Sequence, residues 1–503
     1  MADKIMNSLL IGNGLDIQAG GDDYLNKWII VRLLAKAKNG KYDVLFMDSE
    51  DAKPTLTGDE IVELFNGMVD IANKALENKY DQLVSDYGDK DVIEALNDFK
   101  KRYTFKIASI EEIGMEDWVL MLLLFLIEQG DIIDKYEAAK QGFERMVFDS
   151  IYCEGNIQRL KMGKSSKLYF SNFDNIFTLN YDNSLEKLTN QPVFHLHGDF
   201  YTKSISENPD NAYGYLRKQN GQNLWFAPQY EHCNCNAILD FSGSRKYNFA
   251  TSLTKAFFEF EKFKEAYSYI DSLEQMLEKF PAEQRDIIHI GIEKNLPCGH
   301  NYHFQDFEKS NGTLTIIGLA PQNDSHIFSC INKSNIEKVV FYHYFGGKSD
   351  DEVDAEIKTI TLAITKPYII KNIKKVWDEI NLSKPNNSTT YTQILLSRKR
   401  NDDFLNLFNS LYPNATVSIE DILRQLRSIP VTTEKAICKM MASEIIKEKY
   451  HTTPQSEKEL FRHFIDFGKT LKIASISPQT LYFLYFINSQ TNGKKSKSAK
   501  RRK

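Results

Sequence analysis

"LLIGNGLDIQAGG", residues 9–21, decides how this chain is read. An apolar run enters two glycines, Gly12 and Gly14, flanking Asn13, and a carboxylate, Asp16, follows. A strand that ends in glycines before a helix presents backbone N–H groups at the C-terminal edge of a sheet, where anions and nucleotides are held. The dinucleotide fingerprint G-x-G-x-x-G is not met, because Ile17 takes the place of the third glycine. By itself the loop reads equally as a nucleotide cradle or as a tight strand-to-helix turn.

Five further segments read as strands: "NIFTLNYD" (175–182), "VFHLHG" (193–198), "DIIHIGI" (286–292), "TLTIIGLA" (313–320) and "KVVFYHYF" (338–345). Most are short, continuous apolar runs, as expected of strands buried on both faces of a parallel sheet covered by helices. The expected fold is therefore α/β with a Rossmann-like parallel sheet. Residues of about 20–170 read as a large helical insertion. Within it, Thr57 and Glu60 are spaced as a capping box, and Ile61, Phe65, Met68, Ala72 and Leu76 keep one helical face apolar. Residues 202–224 read as a polar loop, and a second helical block spans about 250–283.

The break "LSKPNNSTTY" (382–391) marks a domain boundary. The α/β domain is placed at 1–381, a C-terminal all-helical domain at 391–493 and a basic tail at 494–503. "SIEDILRQL" (418–426) and "SEKELFRHFIDF" (456–467) begin with capping arrangements in the helical domain.

With 503 residues, 42% of them apolar and 26% charged, the chain has the composition of a globular protein of more than one domain. The net charge of −5 offers no general grip on nucleic acid. Seven basic residues in the tail are the exception; they read first as a solvated end and only weakly as a nucleic-acid contact. "WVLMLLLFLI" (118–127) is too short to span a membrane and reads as a buried helix. The six scattered cysteines suggest no disulfide framework, and with no leader read in "MADKIMNSLL" a cytoplasmic location is expected.

Several residues could carry chemistry. In "FTLNYDNSLE" (177–186), Asn180 and Asp182 follow a strand and share a side if it stays extended. Asn180 could hold a ribose hydroxyl, a carboxamide or a water, while an Asx turn is the plain structural alternative. His195 and His197 also fall on one strand face, which raises a metal site, but no third ligand is placed by sequence. His195 reads as a satisfied core or surface histidine, and His197, before Gly198, as a general base. In "IIGLAPQNDSHIF" (316–328), Gly318, Asn323, Asp324 and His326 follow another strand, and Asp324 could also cap the next helix. His232, Cys233 and Cys235, with Cys298, His300 and His303, sketch a zinc site, but the C-x-C spacing is atypical and no second clean pair exists. No metal is expected.

The order "IGNGLD", "FTLNYDNSLE", "HLHG", "IIGLAPQNDSHI" resembles the sirtuin-like domains of bacterial anti-phage defence proteins. It is most similar to their AbiH-type abortive-infection branch, over about residues 5–370. The resemblance implies a Rossmann-like sheet that binds NAD as substrate, with Asn180 at the nicotinamide ribose and water, His197 as catalytic base and Asp182 beside them. It implies nucleotide contacts from Gly12, Asn13, Gly14, Asp16, Gly318, Asp324 and His326. The G-A-G-x-S opening and zinc cysteines of sirtuin deacylases are missing, so the expected activity is hydrolysis of NAD to nicotinamide and ADP-ribose. The expected role is a defence effector, homo-oligomeric or joined to a partner defence protein, answering a phage-derived trigger, with no membrane contact. Two alternatives are a non-catalytic sensor of NAD or ADP-ribose and an abortive-infection toxin with another target.

Overall fold

The computed structural model describes residues 5–384 except 48–53, 131–135, 153–159, 161, 221–228, 241, 270–272, 321–323 and 347–348. The helices expected at 418–426 and 456–467, the basic tail, Cys153, Cys438 and Asn323 lie outside the described residues. The chain divides into two compact units, Met1–Asp16 with Lys36–Ser383, and Ile17–Ala35 with Lys384–Lys503. In the described part of the second, Arg32 pairs with Asp23 at 3.5 Å.

The first unit holds one six-stranded sheet. Its strands are β1 (Asn7–Ile11), β2 (Asn175–Thr178), β3 (Phe194–His195), β4 (Asn311–Ile317), β5 (Asn335–His343) and β6 (Tyr368–Asn372). Every neighbouring pair is parallel, in the order β3-β2-β1-β4-β5-β6. This is a doubly wound order, with its topological switch between β1 and β4. The register sets Leu9 between Ile176 and Thr315. Ser8, Leu9, Leu10 and Ile11 are all buried, which is why β1 reads as a continuous apolar run. Leu10, Phe177, Leu314, Ile316 and Phe341 share one core with Ile327, Phe328 and Ile331 of the helix Ser325–Lys333.

Between β1 and β2 the described residues form helices and one isolated bridge, Met47 to Pro54. The helix Gly58–Leu76 starts with the capping box expected at Thr57 and Glu60. Its apolar stripe is buried at Ile61, Phe65, Met68 and Ala72 and half-buried at Leu76. The run 118–127 lies in the helix Asp117–Gln129 and is buried throughout. No described helix is long and apolar enough to cross a membrane.

Three expectations are corrected. "DIIHIGI" is not a strand but part of the helix Ala282–Glu293. Ile288 and Ile292 meet Phe260 and Leu277 from one helical face, and Gly291 between them lets Phe260 approach, since a Cβ there would stand 2.3 Å from the ring. Four isoleucines in six residues fit either period, and length decides for a helix. The sixth strand is instead β6, an edge strand that is only partly buried and so carries a weak apolar signal. Within 202–224, Ala212–Gln219 is helical, with the Asn211 side chain accepting from the Tyr213 N–H at 3.1 Å.

At the switch point β1 and β4 come unusually close beyond their last residues. Gly12 N–H donates to Ile317 O at 2.9 Å and Gly14 N–H to Gly318 O at 3.3 Å. A Cβ on Gly12 would lie 2.5 Å from Gly318 O, and one on Gly14 would lie 2.5 Å from Gly318 Cα. Gly318 itself has φ +72°. Gly88, with φ +78° and nothing within 4 Å of a built Cβ, isolates the conformational part of such a substitution. Gly88→Ala is expected to destabilise by about 1–2 kcal/mol, and Gly318→Ala by clearly more because the backbone contact must also open. Equal midpoint shifts in denaturant melts of the two variants would refute this account of the contact.

Candidate functional site

The expected site residues converge at the C-terminal ends of β1, β2 and β4, with the turn after β3 beside them. Crevices at this edge, next to a switch point, are where doubly wound sheets hold ligands. Asn180 is tied into the crossing of strands. Its Nδ2 donates to Gly12 O at 3.3 Å, and its backbone N–H donates to Thr178 Oγ1 at 3.0 Å. Thr178 Oγ1 in turn donates to Ile11 O at 3.2 Å. The β2 strand stops at Thr178, so Asn180 and Asp182 stand in the connection to the helix Ser184–Thr189 rather than on an extended strand. Asn13 is exposed on the glycine loop.

Asp16 and Asp182 are both buried and hydrogen-bonded to each other. Two buried carboxyl groups in direct contact cannot both stay charged. Burial first, and then the Asp182 charge and hydrogen bond, hold Asp16 well above the usual carboxylate range, so Asp16 keeps the shared proton. Asp182 Oδ1 also accepts from Ser184 N–H at 2.8 Å, the Asx-turn arrangement of a helix start.

The two histidines of "VFHLHG" part company. Strand β3 covers only Phe194 and His195; Leu196 and His197 form a turn, so the common face expected for His195 and His197 does not exist. His195 Nδ1 donates to Asn180 O at 2.8 Å, and Nε2 meets Glu186 Oε1 at 2.7 Å. Burial pulls its pKa down, but the Glu186 hydrogen bond and charge outweigh that and leave it raised. His195 is thus a satisfied, buried residue that fixes the Asn180 backbone.

His197 points elsewhere. Gly198 follows it at φ +79°, a position where a Cβ would lie 2.3 Å from Asn236 O. His197 O accepts from Ile238 N–H at 2.9 Å. The ring meets His326, Nε2 to Nε2 at 2.9 Å, with centroids 5.2 Å apart. One imidazole donates and the other accepts, so the pair holds a single proton between two neutral rings. Burial, followed by the charge of Lys246, pushes both pKa values down, that of His326 to about 3. Asp324 precedes the helix Ser325–Lys333, but its side chain makes no capping bond. Burial, followed by the Glu116 charge, pushes it up to about 7. The ligand atoms of His197, Asp324 and His326 all lie within 4.8 Å of one another.

Sequence reasoning missed the charged frame of this group. Lys246, fully buried in the helix Gly243–Tyr267, pairs with Glu116 at 2.9 Å. Arg102 is held by Asp117 at 2.6 Å and Asp98 at 2.9 Å. Nothing in the local pattern of 102, 116 or 246 distinguishes them from solvent-facing helical charges.

The sketched zinc cysteines are not assembled. Cys233, Cys235, Cys298 and Cys330 are free, and His303 is bonded to Asp306 at 2.9 Å. Cys233 instead neighbours His232 and Asp149. There Asp149 accepts from Lys36 and Tyr42, each at 2.7 Å, and from His232 at 2.9 Å.

Comparisons with protein-family models, curated proteins and solved structures return no match for this chain.

The buried acid pair yields a signed prediction. Because the folded-state pKa of Asp16 is raised, its favourable contribution is complete below the unfolded value near about 4 and disappears as pH climbs through the folded value. Asp16→Asn keeps a donor toward Asp182 without that loss. The variant is expected to melt above the wild type at pH 7–8 and to approach it near pH 4. A stability gap that does not change between those pH values would contradict the shared proton.

Proposed function

We propose that the protein is an NAD glycohydrolase that cleaves the nicotinamide–ribose bond and transfers the ribosyl group to water. The observation that carries this reading is the neutral His197–His326 pair at the ligand edge of the sheet, with His197 following β3, the neighbour of the strand that delivers Asn180, and His326 following β4. Nicotinamide leaves with the bonding electron pair, and positive charge spreads over C1′ and the ring oxygen. That chemistry asks for a shaped pocket, a group that orients ribose or water, and a base near neutrality.

Asn180 supplies the orienting amide. A water adds to C1′ and gives its proton to His197 Nδ1, while a proton on Nε2 moves across the Nε2–Nε2 contact to His326. The products are ADP-ribose, nicotinamide and a proton. Asp324 faces the pair and takes up the positive charge that develops there. The Asp16–Asp182 pair, one proton over two acids, places a hydrogen-bond acceptor next to Asn180 without two full charges. The motif order described above supports a role as an anti-phage effector that depletes NAD on infection, in an assembly or with a partner.

A second reading, a sensor that binds NAD or ADP-ribose without turnover, draws on the Asn180 amide being engaged with Gly12 O.

Nicotinamide release from NAD by the purified full-length protein, and NAD content in infected cells that express it, test the proposal. His197→Ala and Asn180→Ala are each expected to lower turnover by about 100-fold or more when assayed below the melting temperature of each variant. Wild-type turnover in His197→Ala would overturn the assignment. Tight nucleotide binding with no nicotinamide released would favour the sensor.

A further inference from the structure

We propose that His197, Asp324 and His326 also form a binding site for a divalent transition metal, best fitted by Zn²⁺, and that the bound ion silences the site. The donor atoms lie within 4.8 Å of one another. The two Nε2 atoms are 2.9 Å apart. Two imidazoles on one tetrahedral zinc, at Zn–N of 2.0–2.1 Å, place their nitrogens about 3.3 Å apart. A few tenths of an ångström of opening therefore admits an ion once the shared proton moves from Nε2 to Nδ1 of its ring.

Two neutral imidazoles and a carboxylate leave the fourth position of zinc to water. Nitrogen donors disfavour Mg²⁺ and Ca²⁺, which want oxygen. A second observation points to a ligand here: His326 is 4% exposed, and its Nδ1 is buried with no hydrogen-bond partner. Nε2 carries the ring's hydrogen bond. The surrounding charge permits a cation. Lys246 is answered by Glu116, and Arg102 by Asp117 and Asp98, so the Asp324 carboxylate remains for the ion. The other histidine–carboxylate cluster lacks this property, because the Lys36 ammonium sits 2.7 Å from Asp149 and occupies the place of a metal.

The silencing half of the proposal rests on the NAD hydrolase reading. An ion on His197 Nε2 takes the place of the Nε2–Nε2 contact through which the proton of water must be passed on to His326.

The full-length protein, freed of metal by chelator and dialysed, is titrated with Zn²⁺ against a chromophoric competitor and with Co²⁺ by visible absorption. One ion per chain, tetrahedral cobalt bands and no response to Mg²⁺ are expected. Asp324→Asn and His326→Ala should each weaken zinc by about tenfold or more, and His232→Ala should leave this binding unchanged. Affinity unchanged in both Asp324→Asn and His326→Ala overturns the site; if His326→Ala fails to fold by circular dichroism, Asp324→Asn alone decides. Nicotinamide release by the metal-free protein should fall in step with zinc occupancy. Release that is indifferent to bound zinc overturns the silencing role. Zinc binding by a protein that never releases nicotinamide removes the hydrolase reading and leaves the metal site standing.

Discussion

The backbone contact of Gly12 and Gly14 with Gly318 is the constraint on which the rest of the molecule depends. Two loops leave adjacent parallel strands at the point where the strand order reverses, and there is room between them for hydrogen atoms only. Because they touch, Gly12 O stands where the Asn180 amide reaches it. Asn180 O in turn stands where His195 reaches it. On the other side, the chain leaving Gly318 enters the helix that carries His326. The histidine pair thus joins the turn after β3 to the helix after β4.

The same region collects ionisable groups that would each be unfavourable to bury alone. They are reconciled in different ways. Asp16 keeps a proton against Asp182, the Glu186 hydrogen bond favours the charged form of His195 against its burial, and His197 and His326 stay neutral and share one. Lys246 and Arg102 are met by carboxylates from the helical segment before β2. That segment does more than cover the sheet, since Glu116, Asp117 and Asp98 meet the buried Lys246 and the half-buried Arg102, and those cations add to the burial that disfavours a charged His326. A catalytic base and a zinc ligand need the same thing from an imidazole, an available lone pair, which is why one pair of rings supports both proposals.

Much of this was legible in the sequence where physics writes locally. Continuous apolar runs located β1, β2 and β4, the first and last of them ending in glycine, and a Thr–Glu spacing located the helix Gly58–Leu76. The fold misreadings fall where local pattern is ambiguous. The isoleucines of 287–292 satisfy a strand and a helix alike, and β6, exposed on one side as an edge strand, has little apolar pattern to show. At the site, alternation placed His195 and His197 together, but a turn after two strand residues sent them to different partners. The glycines were seen and their reason was not, because a residue about 300 positions away imposes it. Lys246 and Glu116 meet only through tertiary packing, and no spacing rule connects them.

The position of β1 in the sheet has a consequence for how the molecule is made. Its four buried residues form the middle of the sheet, yet the partners on either side, β2 and β4, lie some 165 and 305 residues further along. At about 5–20 residues per second, a growing chain carries this apolar strand unpaired for roughly 10–30 s before β2 even exists. Such distant pairing is intrinsically slow, since loop closure precedes any gain from the contacts. The helical segment between them can collapse first and shelter the strand. The histidine pair cannot meet until residue 326 has been synthesised, so a nascent or truncated chain carries no assembled site while the ribosome is still at work.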